Sequence, residues 1–490
     1  MNKKYCLIAA AALLATLNSP AASGNWTNDA SSVWSAATNW SSNPTVPGTA
    51  AGDTVGLTFD ISANRTVTMD TTSRTVGTLN IGDPASGYFI YTLATSGGAT
   101  LTFDNSGSGA LLSKPTAANT ALDVISAPIT LADNLTIDTA AVGDPLSANN
   151  SLRISGTISE SGSRTLTKNG AGGLYINNSG NSYSGGTILN AGEIQFSTSF
   201  AFGSGPLIIN GGSLAARSAS RTLTNTITVG GDFTFNSANA GGNALTSTGD
   251  VNLGAATRTI TVASGANPSA TISGIISGNP GVGLIKSGTS TFLLSGVNTF
   301  NGDTRIAAGS LQLSTNAPSG VSLALQNSTV DMNAADAGTL SFRGSVGTVA
   351  ATLGGLKGTR NLALTNTSGA GVTLSVGNNG QNTTYSGELS GTGGKLVKVG
   401  TGTLTISGAN SYDGGTSISG GIINVQNSAG FGTNGTVSCV TRNGGIQVQG
   451  DINIPATVAF TLSNDGTSPA PAIPYAIDDV SGNNTISGTL

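Results

Sequence analysis

The chain has 490 residues, of which 9% are charged, and its 19 basic and 23 acidic residues leave a net charge of −4. Without a basic stripe nucleic acid is excluded as a partner, and without a histidine neither Ser-His-Asp or Cys-His catalysis nor a His-ligated metal can be assembled. Glycine, at 71 residues, is about twice its usual ~7% share.

Residues 1–23 have the form of a secretory signal. Lys3 and Lys4 make a basic start, Cys6 to Leu17 is apolar, and Ala21-Ala22-Ser23 supplies small residues for cleavage. The apolar run is too short to span a bilayer, so no transmembrane segment is expected. Its removal leaves Cys439 as the only cysteine, and an exported chain with no intramolecular disulfide must be held by its core.

Residues 24–60 hold all three tryptophans, Trp26, Trp34 and Trp40. A carbohydrate-binding cluster is one reading. The preferred one is an N-terminal cap over the open end of a stacked fold, since terminal repeats must be sealed against edge-to-edge pairing. From residue 61 the chain is expected to be one continuous repeat region to residue 490. Apolar residues alternate with Ser, Thr and Asn over short runs, as in Val67 and Met69 or Val76, Leu79 and Ile81, which marks strands with one buried face.

One stretch occurs three times, at 166–196, 284–313 and 396–425. Each copy opens on Leu-x-Lys-x-Gly: Leu166, Lys168 and Gly170; Leu284, Lys286 and Gly288; Leu396, Lys398 and Gly400. Each continues to an aromatic, a glycine and a threonine: Tyr183, Gly185 and Thr187; Phe300, Gly302 and Thr304; Tyr412, Gly414 and Thr416. The corners fall at uneven spacings that recur from copy to copy, as in a chain whose turns stack on one another. The expectation is an all-β, right-handed parallel β-helix with aliphatic ladders along its axis.

Within the repeat, the aromatic is expected to pack at a corner of the coil, the weaker alternative being a stripe of rings that grips a glycan. Asn181, Asn298 and Asn410, two residues before it, are expected to cap turns with their amides. Alternation points the three lysines inward. Because a buried unpaired ammonium is too costly, the strand is expected to bend there and let the amine reach solvent.

A short lead-in, Ile154-Ser155-Gly156-Thr157-Ile158, precedes the first copy; similar ones precede the others, and the chain ends on Ile486-Ser487-Gly488-Thr489-Leu490. By that spacing a fourth copy would begin beyond the last residue, so the sequence is expected to be a fragment truncated at its C-terminus.

The Leu-x-Lys-x-Gly opening, Asn-x-Tyr/Phe-x-Gly turn and Thr-x-Ile/Leu-x-x-Gly close resemble the autotransporter-associated β-strand repeat (passenger-associated transport repeat) of bacterial surface and secreted proteins. The resemblance implies a β-helical passenger carried to the cell surface, the outer membrane or the medium. It also implies that a translocator barrel or sorting anchor would stand in a missing C-terminal part.

The expected function is therefore that of a structural or adhesive passenger without catalytic activity, with glycans, surface proteins or copies of itself as partners. The alternative is a polysaccharide lyase or glycoside hydrolase built on the β-helix, which needs two carboxylates facing one groove. Asp331 and Asp336 stand singly, and the adjacent Asp478 and Asp479 would face opposite sides of a strand, so none is chosen as catalytic. No cofactor is expected, and no G-G-x-G-x-D calcium repeat occurs.

Overall fold

The computed structural model describes residues 22–85, 89–115, 122–140, 151–237, 243–263, 270–315, 320–344, 349–433, 435–439, 444–462 and 477–489. The expected signal segment lies outside these but for its last two residues. The described chain is all-β, with one 3-10 turn at Ala37–Asn39 and no α-helix among the described residues. Its strands are mostly two to five residues long, because apolar pairs and triplets are soon interrupted by Gly, Asn and Ser.

Successive turns stack in parallel and form the expected β-helix. One face is a continuous ladder from Gly24–Asn25 through Leu135–Thr139, Leu166–Asn169 and Thr187–Leu189 to Ile276–Ser277. Along it Leu135, Leu166, Thr187, Leu207, Ile227, Val251 and Ile276 form a single column. On the next face Leu174, Ile194, Leu214 and Phe235 do the same. Leu174, Phe292 and Leu404 all lie inside the coil. Each such aliphatic residue contributes about 1.5–3 kcal/mol by burial, and repetition on every turn builds a core that does not depend on a disulfide.

Turn length varies with position. Leu135 pairs with Leu166, 31 residues on, whereas Leu284 pairs with Thr304 and Leu396 with Thr416, 20 residues on. The three copies thus mark tight turns, and each closes on itself. The Leu-x-Lys strand is covered by the Thr-x-Ile/Leu strand of the same copy, and Thr403–Ile406 is covered by Gly421–Val425.

The copies do not share one orientation. Leu166–Asn169 lies on the first face, but Leu284–Ser287 extends the ladder that runs from Gly173–Ile176 through Phe233–Ser237 and Arg258–Val262. The second copy is therefore displaced by one face around the axis. Turns of unequal length lie between the copies, so equal sequence spacing does not preserve the face.

At the start of the chain, Gly24–Asn25 pairs with Thr54–Leu57 and Ser32–Val33 with Arg65–Met69, both in parallel. Trp26, Trp34 and Trp40 are buried, with ring centroids 5.1 Å apart for Trp26 and Trp40 and 4.9 Å for Trp34 and Trp40. Each indole N–H finds a carbonyl, those of Asn28, Pro47 and Trp34 respectively. Rings so enclosed offer no open face to a sugar, and the carbohydrate-binding reading of this cluster is set aside.

Candidate functional site

The repeated stretch concentrates the polar groups that the core admits. Lys168 sits in an aliphatic column between Ile137 below and Leu189 above; Lys286 lies likewise between Ile260 and Ile306, and Lys398 between Val376 and Ile418. All three lysines are fully buried. The strand does not bend to release them, and the expectation that the amine reaches solvent is overturned.

Carbonyl groups take the place of water. Lys286 Nζ donates to the carbonyls of Ser287 at 2.8 Å, Gly288 at 2.7 Å and Ala308 at 3.1 Å. Lys398 Nζ donates to Val399, Gly400 and Gly420, and Lys168 Nζ to Asn169, Gly170 and Ala191. Three N–H donors thus meet three acceptors, two on the lysine's own corner and one on the turn above. Gly170, Gly288 and Gly400 have φ of 72°, 77° and 67°, the left-handed conformation that turns the corner carbonyls toward the amine and that favours glycine. Burial pushes each amine down to about 8, with Asp138 opposing the shift at Lys168. The amines remain predominantly cationic at neutral pH, and with every N–H engaged they are structural clips, not nucleophiles.

The asparagines do more than cap a local turn. Asn410 Oδ1 accepts from the N–H of Leu389 at 2.8 Å on the turn below, and Nδ2 donates to the carbonyl of Gly430 at 2.6 Å on the turn above. Asn298 joins Ile276 to Ala324 and Asn181 joins Ile158 to Ala201 in the same way. One side chain therefore replaces a rung of the backbone ladder where the chain turns a corner.

The aromatic position is buried in every copy, as corner packing requires and a glycan stripe does not. Tyr183 and Tyr412 bond the hydroxyls of Thr187 and Thr416 at 2.7 and 2.6 Å, which explains how a threonine enters the leucine column. Burial raises both phenols above their ordinary pKa. Phe300 has no hydroxyl to offer, and Thr304 turns instead to Ser328 at 2.7 Å. Gly185, Gly302 and Gly414 serve close approach: a Cβ at Gly414 would stand 2.5 Å from the Gly394 carbonyl oxygen.

Outside, polar side chains stack in register. Asn190 donates to Asn169 at 2.7 Å and Asn210 to Asn190 at 2.8 Å, and Asn424, Gln426, Gln447 and Gln449 form a similar group. Arg217 lies 4.3 Å over the ring of Tyr175 and donates to Gln195.

The acids weighed for glycan cleavage occupy structural positions. Asp336 accepts both Nε and Nη2 of Arg305, at 3.1 and 2.7 Å, and Asp331 lies 3.9 Å from Lys357, which also pairs with Asp303. Asp478 and Asp479 are exposed in the strand Ile477–Ser481, where Asp479 accepts from Asn484. Cys439 is buried, its Sγ 3.1 Å from the carbonyl of Gly444.

Comparison with known proteins agrees with this geometry. Residues 166–196, 284–313 and 396–425 match the passenger-associated-transport-repeat family model. Over 145 residues, 29% of this chain, the sequence is 37% identical to the adhesin BmaC autotransporter of Brucella suis biovar 1 (strain 1330), and that stretch is 4% of the relative's length. No solved structure matches the chain.

Proposed function

We propose that this chain is part of an exported autotransporter-type passenger that works by adhesion, presenting a β-helical rod at the cell surface or in the medium. The three passenger-associated-transport-repeat segments, each closing on itself as a turn of the solenoid, carry this reading. The stretch similar to an autotransporter adhesin supports the adhesive part. In this reading residues 24–60 seal the N-terminal end with their tryptophans, and residues 61–490 form the repeat region. The outer rows of Asn, Gln, Ser and Thr suit glycans, surface proteins or further copies of the chain, which offer hydroxyl and amide groups in matching array. The hydrolase alternative draws no support from Asp336, which is committed to Arg305.

The test is gain of adherence. Bacteria displaying residues 24–490 are compared with cells displaying an unrelated β-helix for attachment to epithelial monolayers and for clumping with one another. Adherence or clumping that purified chain inhibits supports the proposal. Neither effect, together with cleavage of a glycan by the purified chain, would replace adhesion by the enzymatic reading.

A further inference from the structure

Lys114 and Asp123 meet inside the coil at one corner of a single turn. In the strand Ala110–Lys114 the residues Ala110, Leu112 and Lys114 are the buried ones, and in Asp123–Ile125 they are Asp123 and Ile125. The alternation that buries aliphatic residues elsewhere therefore carries an amine and a carboxyl group into the core. Thr139 and Leu152 of the next turn stack over them.

Lys114 Nζ contacts Asp123 Oδ2, and the two side chains are only 5% and 1% exposed. The other described ion pairs are open to water on at least one side: Lys357 and Asp303 are 37% and 47% exposed, and Arg305, paired with Asp336, is 38% exposed. The other three inward lysines bond carbonyls, whereas Lys114 has an acid among its partners. Asp123 Oδ1 accepts the N–H of Tyr91 at 2.7 Å. Asp83 is itself buried and follows Gly82, which packs against the pair: a Cβ there would stand 3.5 Å from Asp123 Oδ2 and 3.9 Å from Lys114 Nζ. Burial raises Asp123 above the usual carboxylate range, against the opposing pull of Lys114 and of the Tyr91 N–H.

We propose that the Lys114 amine and the Asp123 carboxyl group condense to an intramolecular amide, with Asp83 as proton carrier. Proton transfer within the pair gives a neutral amine and a neutral acid. The Nζ lone pair adds to Cγ, and the negative charge that develops on Oδ1 is met by the Tyr91 N–H. Asp83 takes a proton from Nζ as the C–N bond forms and delivers it to Oδ2. The Cγ–Oδ2 bond then breaks and one water leaves. Asp83 ends as it began, and no oxidant, reductant or cofactor is consumed. Fixed proximity removes the entropic barrier to the step, and exclusion of water disfavours its reversal. The product exchanges a costly buried ion pair for a neutral group and braces a turn of a chain that has one cysteine after residue 23.

Peptide mass analysis decides the matter. The folded, purified chain is digested with elastase, which cuts in the alanine-containing segment 115–122, and fragments are sequenced by tandem mass spectrometry. The expected result is a Lys114 peptide joined to an Asp123 peptide, short of their summed mass by one water. Asp123→Ala and Lys114→Arg each restore separate peptides, and Asp83→Asn, confirmed as folded by circular dichroism, lowers the joined fraction at least tenfold. Separate peptides of full mass from the wild-type chain would overturn the proposal, and full joining in Asp83→Asn would overturn the assignment of Asp83.

Discussion

The Nδ2 of Asn410 donates to the carbonyl of Gly430 one turn above, while its Oδ1 accepts from Leu389 one turn below. Asn410→Ala strands a buried N–H and a buried carbonyl at once. At about 1–3 kcal/mol for each group left without a partner, the variant is expected to lose about 2–6 kcal/mol. Asn410→Asp keeps the acceptor but offers no donor to Gly430 and also falls below wild type. Denaturant unfolding followed by circular dichroism measures both, and a midpoint unchanged in Asn410→Ala would contradict the bridging role.

Lys398→Met leaves the carbonyls of Val399, Gly400 and Gly420 without the ammonium. The methionine fills the volume, so the loss of about 2–4 kcal/mol comes from unsatisfied acceptors rather than from a cavity. Lys395→Met, three residues earlier and half-buried, is the control and is expected to stay within about 0.5 kcal/mol. Equal midpoints for the two variants would show that the clip adds nothing.

The same amines set a pH dependence. Their folded pKa of about 8 lies below the unfolded value of about 10.4, so between these limits the unfolded chain binds more protons than the folded one. Stability therefore rises with pH across that window. Tyr183 and Tyr412, raised by burial, act in the opposite sense once the unfolded phenols ionise near pH ~10. Thermal midpoints measured from pH 7 to 10 are expected to climb, and to climb less after Lys168, Lys286 and Lys398 are all replaced by Met. A flat wild-type profile would contradict the shift.

Gly414→Ala tests the close approach of turns. Its Cβ would meet the Gly394 carbonyl oxygen at 2.5 Å, with further backbone behind it. Overpacking of this kind costs about 1–3 kcal/mol. The variant is expected to melt below wild type, and an unchanged melting temperature would mean that the stacking at this corner is looser than described.

Much of this architecture is legible in the sequence because its signals are local. Alternation at Leu404 and Ile406 and the glycines at fixed corners specify strands, turns and their recurrence. The burial of the lysines is not legible for a physical reason: the sequence pattern does not show the two corner carbonyls that Gly400, by adopting positive φ, turns toward Lys398. Asn410 could be placed at a corner, but its partners lie on two other turns, and no local pattern names Gly430 as one of them. The rotation of the second copy was hidden because it depends on the summed lengths of the intervening turns. Alternation along Ala110, Leu112 and Lys114 points the Lys114 amine inward, but no local pattern names Asp123 as its partner.

The central claim is that the turns pile up in register, and spin-label distances along one outward row measure this directly. Thr136, Thr167, Ile188, Ile208, Thr228, Asn252 and Ser277 are successive partners on one face. With strands ~4.8 Å apart, backbone separations grow to about 19 Å between Thr136 and Thr228 and about 29 Å between Thr136 and Ser277. Nitroxide pairs at these positions, read by pulsed dipolar spectroscopy, are expected to show the second distance exceeding the first by about 10 Å. A second distance equal to or shorter than the first would mean that the chain folds back in hairpins, and the stacked β-helix would be wrong.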